Sequence, residues 1–216
     1  MSIARNLDEI RQKIDLECDL AHRDTAEITL IAVSKTVEVS KIQEAYDAGQ
    51  RHFGESRLQE AIPKIEALPK DIVWHFIGKL QSNKAKRVAQ LFDVIHTLES
   101  ENQLAEIAKS GRSVEGFIEV NIAEESQKAG ISPNRLDDFV KLALNYPQVQ
   151  INGLMTIGPV VSDLEVTRNC FRTMRNLAAR TGVQKLSMGM SHDFGVAIQE
   201  GSTHLRIGSA IFGSRY

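Results

Sequence analysis

The chain has 216 residues, a formal net charge of −2 and two cysteines. Its composition, 42% hydrophobic and 25% charged, is typical of a soluble globular protein, and so small a net charge excludes a strong general attraction to nucleic acid or anionic membranes. No stretch approaches the roughly 20 apolar residues that cross a bilayer. Cys18 and Cys170 lie far apart, and neither a Cys-x-x-Cys nor a His-x-x-x-His pattern occurs. We therefore expect a reduced, cytoplasmic protein without a zinc site.

Residues 2–22 combine charged residues with apolar residues at every third or fourth position. This period predicts an amphipathic helix. A secretory signal would need an uninterrupted apolar stretch, so we do not expect this segment to be a targeting sequence.

Beyond this helix, short β-branched runs alternate with longer stretches of helical period. Alternation of this kind predicts a parallel sheet with right-handed crossovers. Eight strands are predicted, at Ile28–Thr36, Arg51–Gly54, Val73–Gly78, Val94–Leu98, Gly116–Ile122, Gln150–Ile157, Lys185–Ser191 and His204–Phe212.

Several helix boundaries have sequence signals. Capping-box spacing occurs at Ser100–Gln103 and at Ser162–Glu165. Ser132 precedes a proline suited to the first helical position, and Gly49 and Gly182 stand where helices should end.

Eight strands in this pattern predict a closed (β/α)₈ barrel formed by residues 1–216 as a single domain. Seven helices connect eight strands, so the N-terminal helix is expected to complete the outer ring. An open doubly wound sheet is the alternative, but no Gly-x-Gly-x-x-Gly follows the first strand.

Lys35 is the first candidate functional residue. In such barrels the active face lies at the carboxyl ends of the strands, and Lys35 ends the first strand after the apolar run Ile-Ala-Val. A desolvated lysine loses its proton more easily, and the neutral amine attacks aldehydes. A structural lysine paired with Glu55 or Glu99 is an equally good interpretation of position alone.

The last two strands carry a candidate phosphate site, because barrels often bind phosphate with the loops after strands seven and eight. Gly208 and Ser209 offer backbone N–H groups, Ser191 adds a hydroxyl, and Arg206 shares a strand face with Gly208. A glycine-rich rim built for tight turns is the alternative. An imine-forming lysine beside a phosphate site specifies a phosphorylated aldehyde, of which pyridoxal phosphate (PLP) is the common one.

Several segments, in order along almost the whole chain, resemble the YggS/PROSC family of pyridoxal phosphate homeostasis proteins. The run Trp-His-Phe-Ile-Gly followed by Leu-Gln-Ser-Asn-Lys is specific, as is the strand-seven run. The matching segments are residues 31–36, 52–55, 74–84, 153–156, 186–191 and 206–213.

The resemblance implies an alanine-racemase-like barrel (PLP fold type III) without the C-terminal β-domain, usually monomeric. It implies that Lys35 forms the Schiff base, that Arg206 faces the pyridine nitrogen, and that phosphate and ring are held by the other matching positions. Those positions are Ser191, Gly208 and Ser209 for the phosphate, Met155 and His75 for the ring, and Ser187 within the strand-seven run.

Three positions depart from the family pattern. Ser56 stands where many members have asparagine, so a hydroxyl replaces an amide contact to the cofactor. Ser209 stands where threonine is frequent, and His192 where an acidic residue is common. We expect His192 to be a solvent-facing loop residue.

The family has no firmly established reaction and is associated with intracellular handling of the cofactor. A racemase of this class needs a second proton donor, a tyrosine from a β-domain that is not expected here. Tyr46 and Tyr146 fall in helical stretches, and Arg206 facing the ring nitrogen would leave that nitrogen unprotonated, which weakens the ring as an electron sink. We therefore expect a carrier that passes PLP to apo-enzymes, with weak racemase or transaminase activity as the alternative.

A basic cluster, residues 79–87, begins the helix after the third predicted strand. RNA or a second phosphate ligand could bind there, the latter because Lys79 and Lys84 lie near the mouth and helix N-termini attract anions. A solvated helix start is the simpler interpretation, and no nucleic-acid partner is expected.

Overall fold

The computed structural model describes residues 2–122, 129–159, 161 and 163–213. Eight parallel strands pair in chain order, and the last pairs with the first, Thr29 opposite His204 through Ala32 opposite Ile207. The predicted closed barrel is confirmed and the open sheet is wrong. The strands are β1 (Thr29–Val33), β2 (His52–Glu55), β3 (Val73–Phe76), β4 (Val94–Leu98), β5 (Val114–Glu119), β6 (Val149–Met155), β7 (Lys185–Ser187) and β8 (His204–Ile207).

Nine helices occur in the described part of the chain. Seven of them connect consecutive strands, as expected. They are α1 (Ile3–Leu20), α2 (Val39–Asp47), α3 (Leu58–Ala67), α4 (Ser82–Leu91), α5 (Glu101–Ala108), α6 (Leu136–Ala143), α7 (Leu164–Thr181), α8 (Phe194–Gln199) and α9 (Ser209–Phe212).

Helix α1 completes the outer ring, as the sequence predicted. It packs against α2, α8 and α9. Its buried face is formed by residues spaced three or four apart, which is the spacing that places side chains on one side of a helix: Ile3, Leu7, Ile10, Ile14 and Cys18.

The ends of the last two strands differ from the prediction. β7 ends at Ser187 rather than Ser191, and β8 ends at Ile207 rather than Phe212. Gly189, at φ +96°, turns the chain where an added Cβ would lie 2.6 Å from the Cβ of Ala197. Residues 209–212 form a helical turn. They were predicted as strand because the sequence of a short apolar run fits a strand and a buried helix equally well.

The helix signals have mixed outcomes. The capping box of Ser100 and Gln103 is present, and Gly49 and Gly182 follow their helices with positive φ. Pro133 begins a 3₁₀ turn that leads into α6. Asp163 caps α7 by accepting the backbone N–H of Glu165, and the predicted cap Ser162 lies outside the described residues.

The apolar core lies mainly between the strands and the surrounding helices. The barrel interior differs, because buried polar side chains share it with a small apolar cluster of Val94, Phe117 and Met155. None of the helices in the described ranges combines the length and hydropathy needed to cross a membrane.

Candidate functional site

Lys35 lies just beyond β1, in the turn that leads to α2. Its side chain is half-buried, and Thr36 beside it has a left-handed φ of +63°. Within the described residues, no hydrogen bond or ion pair engages the Lys35 ammonium group. The amine is therefore available to a ligand at the carboxyl-terminal mouth of the barrel.

The two carboxylates that could have paired with Lys35 have other partners. Glu55 Oε1 lies 2.7 Å from Nζ of Lys64 on α3, and Glu99 Oε2 accepts the backbone N–H of Gly130 at 2.6 Å. The interpretation of Lys35 as a structural partner of either residue therefore has no support in the geometry.

Glu55 and Lys64 instead hold the residue that precedes Lys35. Lys64 Nζ donates to the carbonyl of Ser34 at 2.8 Å, and the Ser34 hydroxyl donates to Glu55 Oε1 at 2.6 Å. The Lys64 side chain is 8% exposed and the Glu55 side chain is 0% exposed. This buried network fixes the end of β1 from behind, and with it the start of the Lys35 side chain.

Arg206 lies inside the barrel on β8, where 6% of it is exposed. Its Nη1 donates to Ser187 Oγ at 2.6 Å, and its Nη2 donates to the carbonyl of Thr156 at 2.9 Å. Burial lowers the pKa of Arg206 to about 10, while Asp193 and Glu119 act to raise it. The guanidinium therefore remains charged at neutral pH, fixed by partners on β7 and just after β6.

The predicted phosphate residues come together after β7 and β8. The Ser209 hydroxyl donates to that of Ser191 at 3.2 Å. Ser209 begins α9, and the first N–H groups of a helical turn have no partner within it. A Cβ on Gly208 would lie 3.2 Å from the carbonyl oxygen of Val33, so glycine allows close approach to β1. Gly208, Ser209 and Lys35 thus follow the paired strands β8 and β1, and Ser191 follows β7 on the other side of β8.

The residues predicted to contact the cofactor ring lie at different places along the barrel. Met155 is buried at the end of β6. His75 lies in the barrel interior with both ring nitrogens engaged by His52 and His96. Ser56, half-buried after β2, borders a groove of about 200 Å³ that Lys79 and Lys84 also line, so the basic cluster lies beside the mouth.

Glu119 is a candidate that the sequence analysis missed. It ends β5 and is 6% exposed. Burial, reinforced by Glu99, raises its pKa to about 7, against the opposing effects of Arg206 and Lys79. The rule that strand ends face the mouth would have found it, but the predicted strand ran on to residue 122.

The described tyrosines lie in the outer layer. The Tyr46 hydroxyl donates to Asp71 at 2.7 Å, and the Tyr146 hydroxyl donates to Glu101 at 2.9 Å. Each is therefore bound to a surface carboxylate rather than directed at Lys35. His192 is exposed, as expected.

The donor set fits PLP. An available amine can join an aldehyde, two hydroxyls beside the start of a helical turn suit a phosphate, and a buried guanidinium suits an aromatic nitrogen. Gly208 allows the chain after β8 to approach Val33, two residues before Lys35. No group of His, Cys, Asp or Glu among the described residues is arranged to hold a metal ion.

Comparison with known proteins gives a consistent family. The model of the alanine racemase N-terminal domain family matches residues 3–216. The pyridoxal phosphate homeostasis protein of Aquifex aeolicus is 38% identical over 100% of this chain and 99% of its own length. The protein of that name from Escherichia coli K12 is 40% identical over 99% and 97% of the two chains.

Solved structures agree. PipY of Synechococcus elongatus with PLP bound is 37% identical, covers 98% of this chain and all of its own, and superposes with a TM-score of 0.86. Alanine racemase of Bacillus anthracis shares the fold alone, at 17% identity and a TM-score of 0.68 over 97% of this chain and 56% of its own. The chain therefore belongs to the family of pyridoxal phosphate homeostasis proteins, built on the alanine racemase barrel.

Proposed function

We propose that the chain binds PLP through a Schiff base at Lys35 and acts as a carrier in cofactor homeostasis. The observation that carries this proposal is that an available lysine follows β1, whereas Ser209, hydrogen-bonded to Ser191, follows β8, the strand paired with β1. PLP bound to PipY and the names of the relatives support it. We further propose that residues 1–216 form one monomeric, cytoplasmic domain.

When bound, PLP supplies an aldehyde that forms reversible imines with amines and a ring that can withdraw electrons. Lys35 would hold the aldehyde carbon, and Arg206 would direct a donor at the ring nitrogen. The remaining proposed contacts are Ser191, Gly208 and Ser209 at the phosphate, and Ser56, His75, Met155 and Ser187 around the ring.

Arg206 favours storage over catalysis. Its charged guanidinium is fixed by Ser187 and Thr156, and a donor beside the ring nitrogen disfavours a proton on that nitrogen. Electron withdrawal by the ring is then weak. Tyr46 and Tyr146 are bound elsewhere, so neither serves as the second proton donor of a racemase.

A weak racemase or transaminase is the second candidate, and Glu119 favours it. A carboxyl group with a pKa raised to about 7 at the end of β5 has the properties of a general acid or base. The structural likeness to alanine racemase adds only the shared fold.

Incubation of the PLP-loaded protein with D- and L-alanine in deuterated water separates the two functions. A carrier should exchange the α-hydrogen far more slowly than the ~1–10³ s⁻¹ typical of enzymes, and should transfer PLP to an apo-enzyme. Exchange at enzymatic rates that is lost in Glu119→Gln would contradict the carrier function.

A further inference from the structure

Three histidines form a hydrogen-bonded chain through the barrel interior. His52 Nδ1 lies 3.0 Å from His75 Nε2, and His75 Nδ1 lies 2.9 Å from His96 Nε2. His96 Nδ1 then lies 2.8 Å from Ser187 Oγ, which accepts a hydrogen bond from Arg206. This histidine chain therefore joins the half-buried His52, at the start of β2, to the guanidinium of Arg206 near the mouth.

Arg206 gives this chain a direction. A guanidinium only donates, so the Ser187 oxygen accepts from it, and the serine proton is free to go elsewhere. Among the described residues, His96 Nδ1 is the acceptor within reach of that proton. With Nδ1 accepting, the single proton of a neutral His96 lies on Nε2 and points at His75.

The tautomer of His96 determines those of His75 and His52. His75 accepts at Nδ1 and must donate from Nε2 to His52 Nδ1, which leaves the remaining His52 proton on Nε2. All three imidazoles are then neutral and protonated on Nε2. Each hydrogen bond in the chain has one donor and one acceptor, so no buried ring nitrogen lacks a partner.

Burial keeps the rings neutral. It lowers the pKa of His52, and it lowers the pKa values of His75 and His96 well below the usual value. Glu115 and Asp93 oppose the lowering of the His52 pKa. Lys185 further lowers the pKa values of His52 and His75, and Arg206 further lowers that of His96. The charged and titratable groups around the chain are Asp93, Glu115, Lys185, His204 and Arg206.

We propose that His52, His75 and His96 are positioning residues that orient the Ser187 hydroxyl and so fix the guanidinium of Arg206 toward the cofactor site. The proposal rests on the proposed function in that Arg206 is taken to face the cofactor ring. The direction of the chain is a property of the protein itself and does not depend on that function.

His204 provides an internal comparison. It is also buried in the barrel interior, 6% exposed, with its ring 4.9 Å from that of Phe117. His96 stacks on the same phenyl ring at 4.5 Å. The Nδ1 of His204, however, contacts the Thr203 hydroxyl at 2.8 Å instead of the chain. The two histidines share packing and differ in their connection to Ser187.

Nitrogen NMR of the protein labelled with ¹⁵N-histidine tests the direction without any cofactor. At neutral pH, His52, His75 and His96 should each show the neutral tautomer protonated on Nε2, with the exposed His22 and His192 as reference signals. A neutral ring protonated on Nδ1, or an imidazolium, at any of the three positions would overturn the proposed chain.

Substitution tests the effect on the cofactor. His96→Leu should weaken PLP binding about 2- to 10-fold more than the matched His204→Leu and should change the absorption maximum of the loaded protein. His96→Asn, which can still offer an acceptor to Ser187, should restore part of the affinity. Equal effects of the two leucine variants would overturn the positioning role, whereas absence of PLP binding in the unaltered protein would contradict the proposed function instead.

Discussion

Replacing Lys64 by methionine is expected to lower the free energy of unfolding by about 3–5 kcal/mol. Lys64 Nζ is bound to Glu55 Oε1 and to the carbonyl of Ser34 in a region closed to water. Methionine fills a similar volume but leaves the Glu55 carboxylate buried without its counter-charge. The other oxygen of Glu55 is already buried without a hydrogen-bond partner among the described residues, which makes the loss more costly.

Urea denaturation of the wild-type and variant proteins measures this effect. Lys70→Met, at an exposed lysine just beyond α3, is the control and should change stability by less than about 0.5 kcal/mol. The double variant Lys64→Met/Glu55→Gln should recover part of the loss, because the uncompensated charge is gone. A loss below about 1 kcal/mol in Lys64→Met would show that the pair is not a major support of β1.

Arg206→Leu is expected to weaken PLP binding about 10- to 100-fold, which corresponds to the ~1.5–3 kcal/mol of a hydrogen bond to a charged group. The variant removes the donor that we propose faces the ring, and it leaves Ser187 Oγ and the Thr156 carbonyl without their partner. Arg206→Lys keeps the charge but lacks the planar fork that reaches both acceptors, so its affinity should be intermediate.

Titration of PLP into the apo-proteins, followed by absorbance, gives these affinities. Arg180→Leu is a control, because that arginine pairs with Asp137 on the surface and should leave binding unchanged. Thermal unfolding of each variant separates weakened binding from loss of the fold. Wild-type affinity in a folded Arg206→Leu protein would remove this residue from the cofactor site.

The alternation was enough to predict the barrel, because each short run predicted as a strand is separated from the next by a longer stretch of helical period. The rule that parallel strands end at one face then made Lys35, Arg206 and Gly208 candidates for the site. Strand ends were less predictable. Residues 188–191 and 209–212 continue apolar runs, and only packing against neighbouring elements determines that the chain turns there.

The contacts between buried polar side chains could not be predicted from the sequence. Glu55 and Lys64 lie on a strand and the following helix, and nothing in their spacing indicates an ion pair. His75 and His96 could be assigned to strands, but their contact depends on how β3 and β4 are staggered around the barrel. From the sequence, His75 was proposed as a contact of the cofactor ring, and its hydrogen bonds to His52 and His96 became evident only from the structure.

Borohydride reduction of the PLP-loaded protein, followed by peptide mass mapping, tests the central claim most directly. An imine at Lys35 predicts that the reduced cofactor is attached to the peptide containing Lys35, and that Lys35→Ala lacks the visible absorption band of the loaded wild-type protein. Attachment at Lys79, Lys84 or another lysine, or an unchanged band in Lys35→Ala, would contradict the account.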